Sequence, residues 1–242
     1  MVDSIGKQLR DARELLMLVS GEGAGLEARL LALHAWGIST EELVRSADSG
    51  RAPQPFKALV QRRLKREPVA QIIGEKYFWK DRFFVSRDVL TPRADSETVI
   101  ETLLQLRPDT SAALRVLDLG TGSGCLLLSA LREYEQASGV GIDRSPAALE
   151  LARRNAAALK LDTRSVFHCA DWCRNLNGQF DVILSNPPYI PTADIATLDA
   201  DVREYEPHAA LDGGADGLDC YRRIIQECLP HLKPGALLIF EV

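Results

Sequence analysis

Four stretches of the sequence carry residue types and spacings that could do chemistry. The first is Val116-Leu117-Asp118-Leu119-Gly120-Thr121-Gly122-Ser123-Gly124-Cys125, an apolar run feeding a glycine-rich turn and then the helical run Leu126–Leu131. Glycines let a backbone turn tightly and approach a ligand closely. A pyrophosphate-binding turn reads G-x-G-x-x-G, and a phosphate-binding P-loop ends in G-K-[ST]. Here the glycines stand at 120, 122 and 124 with no such lysine, so neither phosphate pattern is met. The second stretch, Gly141-Ile142-Asp143, ends 19 residues after Gly124. An acid at that place can accept both hydroxyls of a ribose, or simply cap the helix that starts at Pro146. The third is Asp171-Trp172, a carboxylate able to accept from an adenine amino group beside an indole able to cover the ring; a core role for the Trp is the plain alternative. A nucleoside-bearing cofactor without a pyrophosphate fits all three, which points to S-adenosylmethionine. Its expected contacts are Gly120, Thr121, Gly122, Ser123, Gly124, Asp143, Asp171 and Trp172, with Asn186 at the reacting end.

The fourth stretch, Asp181-Val182-Ile183-Leu184-Ser185-Asn186-Pro187-Pro188-Tyr189, separates reaction classes. Two prolines remove N–H donors and fix φ, leaving carbonyls free to accept. The Asn186 side-chain oxygen and the Pro187 carbonyl can then take both hydrogens of a planar –NH₂ group, while the Tyr189 ring lies on its π face. Asn186, Pro187 and Tyr189 are the expected catalytic residues, and Pro188 completes the substrate loop. The nitrogen of such a planar group is a poor nucleophile because its lone pair is delocalised, so positioning and dipoles aimed at a nitrogen turning positive are the terms that matter. No strong base is required, which agrees with the absence of any His, Asp or Glu within Asn186–Tyr189. His168 and His208 are read as structural, and Cys125 as a small packing residue.

Positioning these groups takes an α/β frame. Apolar, strand-like runs at Arg115–Leu119, Val140–Asp143, Val166–Ala170, Val182–Ser185 and Ala236–Val242 alternate with helical ones, which predicts a parallel, doubly wound sheet. Ligands bind such sheets at the carboxyl ends of the strands, where the four stretches fall. Asp95-Ser96-Glu97 opens a helix ahead of the first strand. Residues 1–66 read as a small helical bundle: Ile5, Leu9, Ala12, Leu15, Leu16 and Val19 share one face, Gly21, Gly23 and Gly25 interrupt it, and Ser39-Thr40-Glu41-Glu42 looks like a capped start. Between them, Val69–Ile73 and Tyr77–Val85, separated by Gly74, suggest a hairpin-like connector over 67–90, with the catalytic domain spanning 91–242.

Together these features resemble the class I S-adenosylmethionine-dependent methyltransferases that modify a planar nitrogen. More narrowly, the chain is similar to the protein-(glutamine-N5) methyltransferases of the HemK/PrmC family. Glu67–Gly74, Phe78-Trp79, Phe83–Val85, Val89–Glu97, Tyr205-Glu206-Pro207, Ala210-Leu211, Gly213-Gly214 and Asp216-Gly217-Leu218 support the narrower likeness. The resemblance implies a Rossmann-like fold and methylation of the glutamine in the Gly-Gly-Gln motif of class 1 peptide chain release factors, with S-adenosyl-L-homocysteine as product. It implies docking of the release factor on the helical bundle. Two departures stand out. The family shows Ile-Pro-Arg-Pro-Glu-Thr-Glu where this chain has Thr91-Pro92-Arg93-Ala94-Asp95-Ser96-Glu97. The family fold also runs on past its fifth strand, whereas the sequence stops at Glu241-Val242, so the last strands are expected to be absent and one sheet edge bare.

Two other readings compete. An exocyclic –NH₂ on a flipped adenine makes the same demands as a glutamine amide, so an adenine-N6 methyltransferase of DNA or RNA is the runner-up. A non-catalytic S-adenosylmethionine-binding adaptor is the third. Charge argues against direct DNA binding: the chain carries −5 overall, and phosphate neutralisation needs cations. Residues 1–70 hold 11 basic and 9 acidic side chains against 18 and 25 in the remainder, and Arg51 to Arg66 contains no acid. With 46% hydrophobic and 26% charged residues, composition excludes collagen, coiled coils and wholesale disorder. No apolar stretch approaches the ~20 residues of a membrane span, and no secretory leader is evident. Five cysteines form no CxxC pair, so neither a disulfide framework nor a metal site is expected. A cytoplasmic monomer is the expectation.

Overall fold

The computed structural model describes residues 4–45 and 55–242, and the chain divides into two compact units, Met1–Gly74 and Glu75–Val242. The first is helical: α1 (Ile5–Ser20), α2 (Ala24–Trp36), α3 (Thr40–Arg45), α4 (Pro55–Leu64) and α5 (Val69–Ile73). Ser4 caps α1 by accepting from the Lys7 amide. Ala24, Ala28 and Ala32 recur every four residues along α2, so α1 and α4 pack closely, burying Leu16, Leu31, Phe56 and Val60. The Ser39–Glu42 signal forms a reciprocal capping box: the Ser39 amide donates to the Glu42 carboxylate at 2.7 Å and the Glu42 amide to the Ser39 hydroxyl at 3.2 Å. Gly25 lies inside α2 rather than between helices.

The expected connector is corrected here. Val69–Ile73 is helical, with Pro68 at its N-cap and Gly74 after its last turn. Its β-branched residues suggest a strand locally, yet Ile72 and Gln71 are buried, Ile72 in the helical core beside Phe56 and Val60. Tertiary burial outweighs a weak β preference. The hairpin lies instead within the second unit, as β1 (Glu75–Phe78) antiparallel to β2 (Asp81–Phe84), and the division between units falls after Gly74 rather than near Pro68.

The basic run is also largely committed within its own unit. Arg62 forms two hydrogen bonds to the Glu67 carboxylate, at 2.8 and 2.6 Å. Arg63 is buried, donating to Glu27 at 2.8 Å and to Ser20 at 3.2 Å. Arg66 reaches the Val19 carbonyl. Arg51 lies outside the described residues.

The second unit continues with α6 (Glu97–Leu106), β3 (Arg115–Leu119), α7 (Cys125–Glu133), β4 (Ser138–Asp143), α8 (Pro146–Ala158), β5 (Ser165–Cys169), β6 (Phe180–Ser185), α9 (Ala200–Tyr205), α10 (Asp219–Cys228) and β7 (Leu232–Phe240). The five strands after the hairpin form one parallel sheet in the order β5-β4-β3-β6-β7. A parallel sheet is covered on both faces, and the two faces pack separately. Val116, Val182 and Leu184 face a core with Leu127, Leu131 and Tyr134. Leu117, Leu119 and Ile183 face another with Ile224 and Cys228. Register places Leu119 beside Ser185, so the turn after β3 and the loop after β6 leave the sheet side by side. No helix among the described residues is long and apolar enough to cross a membrane.

Candidate active site

Strand order reverses between β3 and β6, the place where open α/β sheets hold ligands. A cavity of about 390 Å³ opens there, lined from the glycine turn, the ends of β4 and β6, and the segments around Pro92 and Gly213. That volume lies in the roughly 300–1,000 Å³ range of small-molecule sites. Gly120, Gly122 and Gly124 take φ of +74°, +54° and +82°, a left-handed succession that residues with a Cβ resist. The turn is pinned by Gly120 and Thr121 amides donating to the Ile142 carbonyl, both at 2.9 Å.

Asp143 holds that turn from the neighbouring strand. Its Oδ2 accepts from the Gly122 amide and its Oδ1 from the Ser145 amide, each at 2.9 Å. The helix cap is Ser145, not Asp143. Each carboxylate oxygen has capacity for a further donor, so a ribose can be received without disturbing the turn. Trp172 packs over Gly120, where an added Cβ would meet its ring at 3.5 Å. Trp172 itself has φ +52°, a costly conformation for a bulky residue. Both oxygens of Asp171 take hydrogen bonds from Arg223, at 3.2 and 2.9 Å, and this pairing holds its carboxyl below the usual range.

Asp118 sits behind the turn, accepting from the Thr121 hydroxyl at 2.6 Å. Burial pushes its carboxyl from 3.8 up to about 7, against the hydrogen bond from Thr121. A raised acid keeps its proton in the folded chain where the unfolded chain has lost it. Its stabilising contribution is therefore complete below about pH 4 and is lost as pH rises towards 7. Asp118→Asn should flatten the slope of unfolding free energy between those limits, measured by urea titration at several pH values; an unchanged slope would assign it to other groups.

The expected catalytic residues lie at the end of β6. The Ser185 hydroxyl donates to the Leu119 carbonyl at 2.7 Å, tying β6 to β3 beside the turn. Asn186 lines the cavity and donates through Nδ2 to the Ser96 hydroxyl at 3.2 Å. Pro187 is buried, Pro188 lines the cavity, and the Tyr189 ring is 46% exposed. The loop beyond is held like a short strand: the Ile190 amide donates to Leu211, Gly213 to Ile190 and Thr192 to Gly214, at 3.0, 2.9 and 2.9 Å. Gly213 lies close against this loop, since a Cβ there would stand 2.8 Å from both the Pro188 carbonyl and the Tyr189 Cα. Gly213→Ala must displace that backbone. Its expected effect is a loss of about 1–3 kcal/mol in stability together with lower turnover, read by thermal melts beside initial rates; wild-type values for both would remove the packing argument.

Of the expected residues, Gly120, Thr121, Gly122, Ser123, Asp143, Asp171, Trp172, Asn186 and Pro188 line one cavity. Gly124, Pro187 and Tyr189 flank it. Sequence reasoning missed three supports. Asn155, fully buried on α8, accepts from the Phe84 amide at 2.7 Å and donates to the carbonyls of Phe84 and Ser123 at 3.0 and 2.8 Å. It fastens the hairpin to the glycine turn; an Asn amid the alanines of a helical face was the available signal. Glu206 accepts from the Thr91 amide at 3.1 Å and pairs with Arg93 at 3.3 Å, strapping Thr91-Pro92-Arg93 across the cavity. Burial raises its carboxyl above the ordinary range despite Arg93. Ser96, hidden at the start of α6, holds Asn186.

Comparison with known proteins agrees with this geometry. Residues 7–74 match the PrmC N-terminal domain and residues 94–200 the methyltransferase small domain. The release factor glutamine methyltransferase of Rhodospirillum rubrum is 42% identical over 240 residues, 98% of this chain and 73% of that protein. That of Caulobacter vibrioides is 44% identical over 221 residues, 90% of this chain and 76% of that one. The chain belongs to the release factor glutamine methyltransferase family. In this family member the methyl donor is S-adenosylmethionine, which the phosphate-free glycine turn, the paired oxygens of Asp143 and the cavity volume all fit. Among solved structures, the catalytic domain of hMettl16 in complex with the MAT2A 3′UTR hairpin 6 superposes with a TM-score of 0.50 at 16% identity, covering 62% of this chain and 58% of that one. This likeness concerns the fold alone.

Proposed function

We propose that this family member methylates the side-chain amide nitrogen of the glutamine in the Gly-Gly-Gln motif of class 1 peptide chain release factors. The observation that carries the reading is Asn186 at the end of β6, on the same cavity as the glycine turn and Asp143. The bound cofactor supplies an electrophilic sulfonium methyl. Asp143 and the turn orient the ribose, Trp172 and Asp171 bound the adenine end, and Asn186 Oδ1 with the Pro187 carbonyl accepts both hydrogens of the glutamine amide. Holding those hydrogens keeps the nitrogen in line with the methyl and favours positive charge on it in the transition state. A nitrogen–carbon bond forms as the carbon–sulfur bond breaks, sulfur keeps the electron pair, and the alkylated nitrogen then loses a proton to water. Tyr189 covers the amide face. The helical unit docks the body of the release factor, a reading supported by its match to the PrmC N-terminal domain.

The test incubates the protein with isotopically labelled S-adenosylmethionine and a class 1 release factor, with DNA in parallel. One methyl on the Gly-Gly-Gln glutamine, located by mass spectrometry, is the expected result. Label in DNA, or none in the release factor, would overturn the reading.

A further inference from the structure

Asn186 can do its work only one way round. Its amide has an acceptor end and a donor end of nearly equal size. Accepting from a glutamine –NH₂ requires Oδ1 to face the cavity; the reverse orientation would set one –NH₂ against another.

Two groups from different elements meet the Asn186 side chain. One is the Ser96 hydroxyl, which accepts from Nδ2 at 3.2 Å. The other is Glu241, immediately after β7. Its amide donates to the Ser185 carbonyl at 3.1 Å, which extends the β6–β7 pairing to the residue before Asn186. Its own carbonyl accepts from the Tyr221 hydroxyl at 2.7 Å, so the backbone is anchored on both sides. The Glu241 carboxylate lies against Ser96 and Asn186. Its Oε2 is sealed from solvent with no hydrogen-bond partner among the described residues, an uncommon state for a carboxylate oxygen.

We propose that Glu241 is a positioning residue which, together with Ser96, holds the two Nδ2 hydrogens of Asn186 and thereby commits Oδ1 to the substrate. An ionised carboxylate only accepts, so a flipped amide would bring Oδ1 against it, oxygen on oxygen. Burial raises the Glu241 carboxyl above its ordinary range, and Asp95 pushes the same way, while Ser96, Asn186 and Arg93 favour the ionised form. The proposal rests on the reading of Asn186 as acceptor for the glutamine amide.

The test compares Glu241→Leu and Glu241→Gln in the wild-type protein and Glu241→Gln in an Asn186→Asp background, using release factor and S-adenosylmethionine. Glu241→Leu should lower kcat on the order of 10- to 100-fold with cofactor affinity held within about threefold, because no cofactor contact is removed. Glu241→Gln should recover most of that loss, since its amide oxygen still accepts from Nδ2. In the Asn186→Asp background there is no N–H to hold and two carboxylates oppose each other. There Glu241→Gln should raise turnover above that of Asn186→Asp alone. A kcat unaffected by Glu241→Leu, or a second substitution that gives no gain over Asn186→Asp, overturns the proposal while leaving the acceptor reading intact. Absence of wild-type turnover on the glutamine overturns both.

Discussion

Replacing Asn186 by alanine should slow methyl transfer to the release factor by about 10³-fold, the scale seen when one preorganised polar contact to a reacting group is removed. Affinity for S-adenosylmethionine should change less than about threefold, because the glycine turn and Asp143, the proposed contacts to the rest of the cofactor, are unaffected. The effect is large because the reaction rests on positioning: without Oδ1, one amide hydrogen has no acceptor and the nitrogen is free to rotate away from the methyl. Single-turnover rates at saturating cofactor, with equilibrium binding measured separately, distinguish the two quantities. A variant that turns over normally, or one whose loss lies entirely in cofactor affinity, would mean that Asn186 does not address the acceptor.

Asp143→Ala should show the opposite division. Hydrogen bonds to a charged acceptor are worth about 1.5–3 kcal/mol, and besides the proposed bonds to the ribose Asp143 accepts from the amides of Gly122 and Ser145. Its removal should weaken S-adenosylmethionine binding on the order of 100-fold or more, while kcat at saturating cofactor falls only a few-fold. Titration calorimetry with the product S-adenosyl-L-homocysteine reads the affinity without turnover. Unchanged affinity would reduce Asp143 to a fastener of the turn.

The parts of the site that announce themselves in the sequence are those encoded by neighbours. Gly120–Gly124 and Asn186–Tyr189 act through consecutive backbone units, so their spacing is their geometry, and Asp143 follows from strand–turn–helix periodicity. The rest depends on pairs that no local pattern records. Glu206 meets Thr91 and Arg93, Asn155 meets Phe84 and Ser123, and Glu241 meets Ser96 and Asn186 only after the sheet has brought them together. Arg63 shows the same limit in reverse: a cation in a basic run reads as solvated, yet it is buried and its partner Glu27 lies on another helix. In Val69–Ile73 the β-branched residues point to a strand, and the flanks point the other way. A proline before these five residues, four of them apolar, and a glycine after them mark a short helix that buries one side.

The strand order has a consequence for how this protein comes off the ribosome. Chains are made from the amino terminus, and the helical unit and the hairpin can gather as they emerge. The reactive corner cannot. β6 sits in the sheet between β3, made well before it, and β7, which follows only after α9 and α10. Until β7 has emerged, one edge of β6 lacks its ladder and nothing anchors Glu241 behind Asn186. Completion of this corner thus waits until every other described strand has been made, and is reached when β7 closes on β6 beside the loop that carries Asn186.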